Sequence, residues 1–531
     1  MNVFEQDFAA LPDLVRGHAR QAPHRIALIE GERRCDYAAL DALMDRVAAA
    51  LQRDHLGPGD TVALCATASL EYAAVFLGAL RAGAGVAPLA PGVTPAALRG
   101  MVRDAGARVL FVDQAANLAL ERSLNGLEAP AGSEGAAPLR VTLDGSQCGR
   151  SLEHWLAAPG HAPQPVKIEP HWPFNIIYSS GTTGAPKGIV QPHAMRWAHV
   201  QRGARYGYCA QTVTLLSTPL YSNTTLVVFV PTLAYGGTVV LMPKFDAAAY
   251  LELAQAHRVT HTMLVPVQYQ RLLAHPAFDR DELESFQVKF ATSAPFAAAL
   301  KAEVLKRWPG QLIEFYGMTE GGGTCILEAH AHPDKLHTVG RPAEGHDIRL
   351  IDDAGHELAR DATGEVVGHS GSMMTGYHCQ PDKTREAEWF DAAGKRFIRT
   401  GDIGRFDADG FLTLLDRKKD LIISGGFNVY PSDLEDVLRG HPAVADAAVV
   451  GVPSAQWGET PMAFVVLGAA ASGSVPQTPA SQSVTAAELL RWANQRLGKT
   501  QRLQSLELIA ELPRSAIGKV LKRELRDRFS R

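Results

Sequence analysis

The sequence predicts an α/β protein with mostly parallel sheets, followed by a smaller C-terminal domain. Three observations lead to this prediction. The chain has 531 residues, several times the ~150 residues of an ordinary domain. Helical and strand patterns alternate up to about residue 410, and the strands are short apolar runs typical of parallel sheets buried on both faces. From Glu365 onward the strands are separated by Gly and Asp turns, which indicates a change of architecture.

The N-terminal elements follow from the spacing of apolar residues. Apolar residues at helical spacing predict two helices, over residues 37–51 and 69–82, and Gly83 and Gly85 end the second one. Short apolar runs predict strands over residues 61–65, 86–89, 108–112, 174–178, 238–242 and 262–265. Strands that alternate with helices in this way are expected to pair in parallel, with the helices covering both faces.

The C-terminal part is divided from the rest by a compact run of charges, Asp416 to Asp420, between two apolar strands. Such a run suits an exposed joint. It predicts an N-terminal domain over residues 1–415, a joint at 416–420 and a C-terminal domain over 421–531. The remaining predicted elements are strands over 364–367, 397–402, 411–415, 444–450 and 462–467, helices over 431–439 and 485–497, and a surface loop over 468–483. Thr485 and Glu488 form a capping pair for the last helix.

Composition excludes several classes of protein. Hydrophobic residues make up 46% and charged residues 20%, which supports large cores rather than disorder. The net charge of −4 gives no electrostatic reason to bind nucleic acid or an anionic membrane. The six cysteines lack the spacing of a zinc or redox site, and neither a secretory signal nor a run long enough to span a bilayer is recognisable. We therefore expect a cytoplasmic protein with reduced thiols, whose oligomeric state stays open.

The most informative segment runs from Tyr178 to Gly188, YSSGTTGAPKG, directly after an apolar strand. Its glycines allow the backbone to turn tightly and to present N–H groups to an anion. Its hydroxyl groups add hydrogen-bond donors, and Lys187 adds a positive charge. The pattern differs from the Walker A motif, because no Gly-Lys-Ser/Thr triplet stands at the required spacing. The segment thus predicts a phosphate-binding loop of another kind.

This segment resembles the phosphate-binding signature of the adenylate-forming superfamily, which includes acyl-CoA synthetases, nonribosomal adenylation domains and luciferase. Further segments resemble that family's motifs in the same order along the chain: Tyr316-Gly317-Met318-Thr319-Glu320, Thr400-Gly401-Asp402, Arg417, and Pro513 to Lys519. The matches span residues 178–519, most of the chain. The resemblance implies doubly wound sheets, a small barrel-like subdomain and a mobile α+β C-terminal domain.

The resemblance also implies an ATP site. Its expected members are Ser179, Ser180, Gly181, Thr182, Thr183, Gly184, Lys187, Ser293, Ala294, Pro295, Tyr316, Gly317, Met318, Thr319, Asp402, Arg417 and Lys519. The Tyr316 ring would lie against adenine and Asp402 would accept from the ribose hydroxyls. Glu320 and Thr183 would hold Mg²⁺, since a carboxylate beside a triphosphate requires a divalent cation between them. Lys519, Glu320, Thr183 and Lys187 are the expected catalytic residues.

The implied reaction has two steps. A carboxylate attacks the α-phosphorus of MgATP to give an acyl-adenylate and pyrophosphate, and a thiol then displaces AMP to give a thioester. Lys519 would stabilise the charge that builds up in the first step. The C-terminal domain of this superfamily rotates between the steps, and the family's hinge position corresponds to Lys419. Gly425 and Gly426 would then line the tunnel for the thiol.

The acid and the thiol are less well defined. The chain ends 12 residues after Lys519, so we expect free coenzyme A rather than a fused carrier domain, with a separate carrier protein as the alternative. The substrate segment, which contains Tyr221, Ser222 and Asn223, has no acidic residue, and this disfavours amino acids. Phe315 is expected to close the pocket floor and thus to favour a compact acid that is short-chain, branched or hydroxylated. Gly321 and the two glycines after it would free space that could admit an aromatic ring. Aromatic acids of the benzoate or cinnamate type therefore stay an alternative, and medium-to-long-chain fatty acids are another.

Other classes remain to be distinguished. A nucleotide-binding protein without catalysis would be expected to lack Lys519, Glu320 or Thr183, and the sequence contains all three. A P-loop kinase or ATPase would release ADP rather than AMP. His330, His332 and His337 invite a zinc assignment, but no Cys or acid stands at the spacing of a zinc site. We therefore expect no zinc there.

Overall fold

A computed structural model describes residues 3–122, 138–179, 187–424, 427–454, 457–468, 484–498, 501–515 and 518–529. The helices are α1 Leu11–Gln21, α2 Tyr37–Arg53, α3 Leu70–Arg81, α4 Pro95–Asp104, α5 Gln114–Arg122, α6 Leu152–Trp155, α7 His193–Gly203, α8 Asn223–Ala234, α9 Ala247–Ala256, α10 Pro266–Leu273, α11 Ala298–Arg307, α12 Pro381–Ala387, α13 Pro431–Arg439, α14 Ala486–Asn494 and α15 Lys522–Phe529.

The strands of the N-terminal part are β1 Ile26–Glu30, β2 Arg33–Asp36, β3 Thr61–Cys65, β4 Gly85–Pro88, β5 Val109–Val112, β6 Leu139–Thr142, β7 Arg150–Ser151, β8 Pro173–Ser179, β9 Lys187–Pro192, β10 Val213–Leu216, β11 Thr238–Leu241, β12 His261–Leu264, β13 Val288–Ala291, β14 Gln311–Met318, β15 Gly321–Glu328 and β16 Arg341–Pro342. The remaining strands are β17 Asp347–Ile351, β18 Gly364–His369, β19 Gly376–Tyr377, β20 Glu388–Phe390, β21 Arg396–Phe406, β22 Leu412–Arg417, β23 Ile422–Ser424, β24 Phe427–Val429, β25 Val444–Ser454, β26 Gly458–Leu467 and β27 Ser505–Leu508.

The chain divides into two compact units. The first comprises residues 1–348 and 368–398, and the second comprises 349–367 and 399–531. These limits differ from the predicted joint at 416–420, because the second unit also takes in segments that precede the joint. A hinge concerns motion between two conformations, so the assignment of residues 416–420 stays a prediction.

A nine-stranded sheet forms one half of the first unit, in the order β16-β15-β14-β13-β12-β10-β11-β1-β2. The pairs from β1 to β14 are parallel, whereas β2, β15 and β16 add antiparallel edges. Parallel strands place their carboxyl ends at one edge, where loops carry functional residues. The ends of β13 and β14 bring Ser293 and the Tyr316–Glu320 motif to that edge.

An eight-stranded sheet forms the other half, in the order β19-β9-β8-β4-β3-β5-β6-β7. It is parallel from β8 to β7, with β9 and β19 added antiparallel. Helices α2 and α3 pack closely beside it because residue 78 is a glycine: a Cβ there would lie 2.6 Å from the Cβ of Val47. The predicted α/β class with mostly parallel sheets is thus confirmed.

A third sheet has five strands, in the order β17-β18-β21-β20, with β22 paired to β21. Within the second unit, β21 and β22 run antiparallel and set Asp402 opposite Arg417. The C-terminal sheet has the order β24-β23-β26-β25 with β27 on β26, and α13 and α14 pack on it through Leu434, Leu438 and Leu489. This small α+β domain matches the predicted class.

The predicted elements recur with small shifts of their ends. Ser69 and Thr485 cap α3 and α14 through their side chains, and Glu488 completes the capping box of α14. The predicted surface loop at 468–483 lies outside the described residues apart from Gly468. Across the described ranges, no helix is long and apolar enough to cross a membrane. All six cysteines lie in those ranges, and none of them forms a disulfide.

Candidate active site

The predicted phosphate loop connects two antiparallel strands. Its base is the pair Ser179 and Lys187, where β8 ends and β9 begins. Residues 180–186, which include the predicted ligands Ser180 to Gly184, lie outside the described part of the chain. The structure therefore fixes where the loop starts and ends. It places Lys187 at the first position of the returning strand.

Glu320 and Lys187 are brought together by a tyrosine that the sequence did not single out. Tyr377 lies on β19, which pairs with β9, and its hydroxyl donates to Oε1 of Glu320 over 2.9 Å. The Nζ atom of Lys187 lies 5.1 Å from the centroid of the same ring. Burial and the neighbouring Glu320 carboxylate raise the pKa of Tyr377, so the phenol stays protonated and acts as a donor. Lys187, at the base of the hairpin, and Glu320, in the second motif, thus both lie next to Tyr377.

A buried network of polar side chains contacts the backbone of the second motif. The side chain of Gln191, on β9, donates to the backbone oxygen of Thr319 over 2.6 Å and to Asn223 over 3.3 Å. Its oxygen accepts from Asn175 over 2.9 Å and also from Arg196. Burial lowers the pKa of Arg196 to about 9, so the guanidinium is still charged at neutral pH. The network ties the phosphate hairpin to both the nucleotide motif and the substrate segment.

Ser293 has a strained backbone at the end of β13. Its φ is +78°, a left-handed value that costs a non-glycine residue of order 1–3 kcal/mol. Its hydroxyl is 2.6 Å from that of Thr224 on α8, and the preceding Thr292 donates to the backbone oxygen of Phe315 over 2.8 Å. These bonds fix the Ser293 turn against α8 and against β14, the strand that carries Tyr316.

The predicted floor residue, Phe315, belongs to an aromatic cluster. Its ring stacks on Phe290 with centroids 5.4 Å apart, and Tyr206 meets it edge-on at 5.8 Å. The Cζ atom of Arg202 lies over the Phe315 ring at 5.2 Å. Because three neighbours hold the ring, it is not free to swing aside.

The structure describes two features of the predicted acid pocket, and it corrects the interpretation of the glycines. The hydroxyl of Ser222 caps α8 and accepts from the backbone N–H of Thr224, so it is partly used by the helix. The glycines after Glu320 do not free space. A Cβ at Gly321 would collide with the backbone oxygen of Ser372, and one at Gly322 would lie 2.9 Å from Ile398. These glycines allow close packing, and the expected room for an aromatic ring is absent there.

In the second unit, the predicted ribose residue pairs with the predicted nucleotide arginine. Oδ1 of Asp402 lies 2.7 Å from Nε of Arg417, across the β21–β22 pair. The backbone N–H of Asp402 donates to the hydroxyl of Thr400 over 3.0 Å, and Gly401 between them has a φ of +70°. The Thr-Gly-Asp motif is therefore a local irregularity within β21, where the hydroxyl of Thr400 holds the backbone of Asp402.

Lys519 lies in a hairpin-like loop at the end of the second unit. Ser515 donates its backbone N–H to the backbone oxygen of Lys519 over 2.8 Å, and Gly518 between them has a φ of +76°. The side chain reaches solvent, yet partial burial, followed by repulsion from Arg417 and Lys419, lowers the pKa of its ammonium to about 8. The lysine is thus near two of the other predicted residues of this unit.

Most of the predicted joint is held by side chains. Lys418 pairs with Asp353 and Glu365 over 2.7 and 3.1 Å, and Asp420 pairs with Arg526 over 2.9 Å. Lys419 is exposed and forms no ion pair among the described residues. It can therefore change its backbone angles without breaking a side-chain anchor. Gly425 and Gly426 lie outside the described residues.

Sites for metals were assessed from the donor groups present. Within the described ranges, no three His, Cys, Asp or Glu side chains are grouped so as to hold a metal ion, and this includes the His330 region. Glu320 supplies a carboxylate whose Oε1 is oriented by Tyr377, and carboxylate oxygen is the donor that Mg²⁺ prefers. The carboxylate chemistry fits a cation that is bound mainly by substrate phosphates.

Sequence reasoning missed Tyr377 and the network around Gln191. Tyr377 stands in no recognisable pattern, and only the pairing of β19 with β9 reveals it. Asn175 and Gln191 did carry a signal, since each is a polar residue within an apolar strand. Buried polar side chains of this kind need partners and often support functional sites.

Comparison with known proteins identifies the class. The family model for AMP-binding enzymes matches residues 15–378, more than half of the chain. The model for the AMP-binding enzyme C-terminal domain matches residues 433–519.

Relatives of similar length support the same class. A feruloyl-CoA synthase from Amycolatopsis sp is 31% identical over 520 residues, covering 96% of this chain and 97% of that protein. A fatty acid–[acyl-carrier-protein] ligase, ScoC, from Streptomyces coeruleorubidus is 31% identical over 522 residues, covering 96% and 95%. The crystal structure of ATP-bound MatB from Rhodopseudomonas palustris superimposes with a TM-score of 0.83 at 28% identity, covering 98% of this chain and 99% of that one.

The chain belongs to the AMP-binding enzyme family. It is an AMP-forming acid–thiol ligase of the acyl-CoA synthetase class, with an ATP site, a large N-terminal domain and a small C-terminal domain.

Proposed function

We propose that this enzyme converts a compact carboxylic acid to its CoA thioester with MgATP, through an acyl-adenylate. The observation that carries the proposal is the meeting of Lys187 and Glu320 at Tyr377, which joins the base of the phosphate loop to the second nucleotide motif. In the first step, Lys187 and the loop residues Ser180 to Thr183 would bind the phosphates. Glu320 and Thr183 would hold Mg²⁺, which supplies charge neutralisation at the phosphates.

The proposed roles of residues in the second unit are those that the family resemblance implies, and the charges of these residues are compatible with them. Asp402 would accept from the ribose hydroxyls, with Arg417 beside it to fix the carboxylate. Lys519 would stabilise the negative charge that develops as the carboxylate adds to the α-phosphorus and pyrophosphate leaves. Rotation about Lys419 would then withdraw the lysine, and the thiolate would displace AMP along a path lined by Gly425 and Gly426.

The clamped ring of Phe315 supports a compact acid. The glycines after Glu320 contribute no extra room, which weakens the case for an aromatic acid entering at that point. The feruloyl-CoA synthase relative keeps aromatic acids as the second candidate, and ScoC keeps fatty acids and a carrier-protein acceptor as further candidates.

The test is product analysis with a panel of acids. The protein is incubated with MgATP and either short, branched, hydroxylated, aromatic or long-chain acids, with CoA or a pantetheinylated carrier protein as the acceptor. We expect AMP, pyrophosphate and a CoA thioester, with the highest kcat/KM for acids of short chain. Release of ADP, or thioester formed only on the carrier protein, would contradict the proposal.

Phe315→Gly tests separately whether Phe315 closes the floor of the acid pocket. Removing the ring should extend activity to acids several carbons longer, because the space it occupied becomes available. Phe390→Gly is the matched control, since Phe390 is 53% exposed on β20 and should not affect the chain-length profile. A profile that is the same in Phe315→Gly and the wild type would exclude Phe315 as the floor.

A further inference from the structure

Arg202 stands out among the charged side chains of the first unit. It lies in the last turn of α7, with its guanidinium over the ring of the floor residue Phe315. Within the described ranges no carboxylate pairs with it. Its neighbour Arg205 does have an acidic partner, Glu328, at 2.7 Å. Of these two arginines, Arg202 is therefore the one that has no ion-pair partner among the described residues.

The surroundings of Arg202 make an unpaired charge costly. Burial lowers the pKa of its guanidinium, and only the phenols of Tyr206 and Tyr208 favour the charged form. A buried cation normally requires an anionic partner, because desolvation is not otherwise offset. Arg202 remains charged at neutral pH, since arginine does not lose its proton in that range.

The other basic groups around Arg202 are either neutral or positively charged. Burial and Arg202 lower the pKa of His346 to about 4, so its ring is neutral, and its Nδ1 accepts from the backbone N–H of Thr324 over 2.9 Å. Burial, with Arg202 and Arg196 nearby, lowers the pKa of His199 well below its ordinary value. Arg196 adds a second positive charge. The potential in this region therefore favours an anion.

The guanidinium also keeps accessible surface. Arg202 is half-buried by area, whereas Arg196, one turn and a half earlier on the same helix, is 1% exposed. Arg202 therefore combines a partly accessible side chain with a guanidinium that lies over the Phe315 ring. Phe315 is followed directly by Tyr316, which begins the predicted nucleotide motif.

We propose that Arg202 binds a second anionic group on the substrate, so that the enzyme activates compact acids that carry a distal carboxylate. This inference rests on the proposed function and narrows its substrate class. A guanidinium can donate two parallel hydrogen bonds to a carboxylate, which gives both affinity and orientation. A neutral acid of the same length would leave Arg202 buried and unpaired, and would be disfavoured for that reason.

Matched pairs of acids test the proposal: succinate against butyrate, glutarate against valerate, and terephthalate against benzoate. For the wild type we expect kcat/KM, measured by pyrophosphate release, to be at least ~100-fold higher for the diacid of the preferred pair. Arg202→Met should remove that preference by lowering the diacid rate far more than the monoacid rate. Arg202→Lys keeps the charge and should retain part of the preference.

Arg205→Met is the control, because it removes a positive charge three residues away that already has a partner. It should leave the diacid preference within about twofold of the wild type. Calorimetric titration with the preferred diacid gives a readout apart from turnover: binding should be lost in Arg202→Met and kept in Arg205→Met. Thermal unfolding of each variant identifies any that has failed to fold, and for such a variant Arg202→Lys provides the comparison.

The outcomes separate the two proposals. If the wild type prefers the monoacid of every pair, or if Arg202→Met changes both members equally, the role of Arg202 is wrong while the compact-acid function stands. If only long or aromatic acids are activated, the compact-acid function is wrong. The terephthalate pair, or a long diacid against its monoacid, then decides the role of Arg202 by the same criterion.

Discussion

Lys519 has a pKa of about 8, because partial burial and the cations Arg417 and Lys419 disfavour its charged form. The ammonium must be protonated to stabilise the developing charge in adenylation. It is protonated below its pKa and loses the proton as the pH rises through that value. We therefore expect kcat/KM for adenylate formation to fall above about pH 8, as measured by pyrophosphate exchange across pH 6.5–10.

Lys519→Arg is a direct control for assigning the decline in kcat/KM to Lys519. Lys519→Arg keeps a positive charge at every pH in the range, so whatever adenylation it retains should not decline near pH 8. If kcat/KM declines near pH 8 in Lys519→Arg as it does in the wild type, another group is titrating and the assignment to Lys519 is wrong.

At the level of single elements, we expect the β8–β9 hairpin to position the Tyr316–Glu320 motif. Gln191 connects it to the backbone of Thr319. Gln191→Leu would leave the amide group of Asn175 without its acceptor and would leave Arg196 with Asn175 as its remaining acceptor. Leaving buried polar groups unsatisfied costs about 1–3 kcal/mol per group. We expect a lower melting temperature and a roughly tenfold higher KM for ATP, measured by thermal unfolding and steady-state kinetics.

Gln191→Glu separates positioning from stability. The carboxylate would still accept from Arg196 and Asn175, but it could not donate to Thr319. Its melting temperature should stay closer to that of the wild type, whereas its KM for ATP should rise as in Gln191→Leu. A normal KM in Gln191→Glu would show that the bond to Thr319 does not position the motif.

The segment Lys418–Asp420 is a short 3-10 helix in which Lys419 alone has no ion pair among the described residues. Proline fixes φ near −65°, so Lys419→Pro should restrict rotation at this position. We expect thioester formation to slow by at least tenfold while adenylation changes little. Lys419→Ala, which removes the side chain but not the backbone freedom, should leave both steps within about threefold. Equal rates of the second step in the proline variant and the wild type would exclude the hinge.

At the scale of the whole molecule, the sequence predicted the architecture well for a physical reason. Parallel strands buried on both faces are continuous apolar runs, so residues 61–65 and 262–265 could be recognised directly. The nucleotide motifs were also visible, because glycines and hydroxyls at fixed spacing are rare. The division into units at 348 and 398 was not predictable, because it depends on how distant strands pair.

The parts of the site that were missed depend on tertiary contacts. Tyr377 reaches Glu320 only through the pairing of β19 with β9, and Arg202 reaches Phe315 only because the fold brings the last turn of α7 beside β14. The interpretation of Gly321 went wrong for a related reason. A glycine leaves space only if no neighbour fills it, and the backbone of Ser372 does so.

We propose that Lys519 serves only the first of the enzyme's two reactions. The most direct test measures both half-reactions in Lys519→Ala: acyl-adenylate formation from acid and MgATP, and thioester formation from supplied acyl-adenylate and CoA. We expect the first to fall by about two to three orders of magnitude, or ~3–4 kcal/mol, and the second to stay within about threefold. An equal loss of both half-reactions would contradict the account.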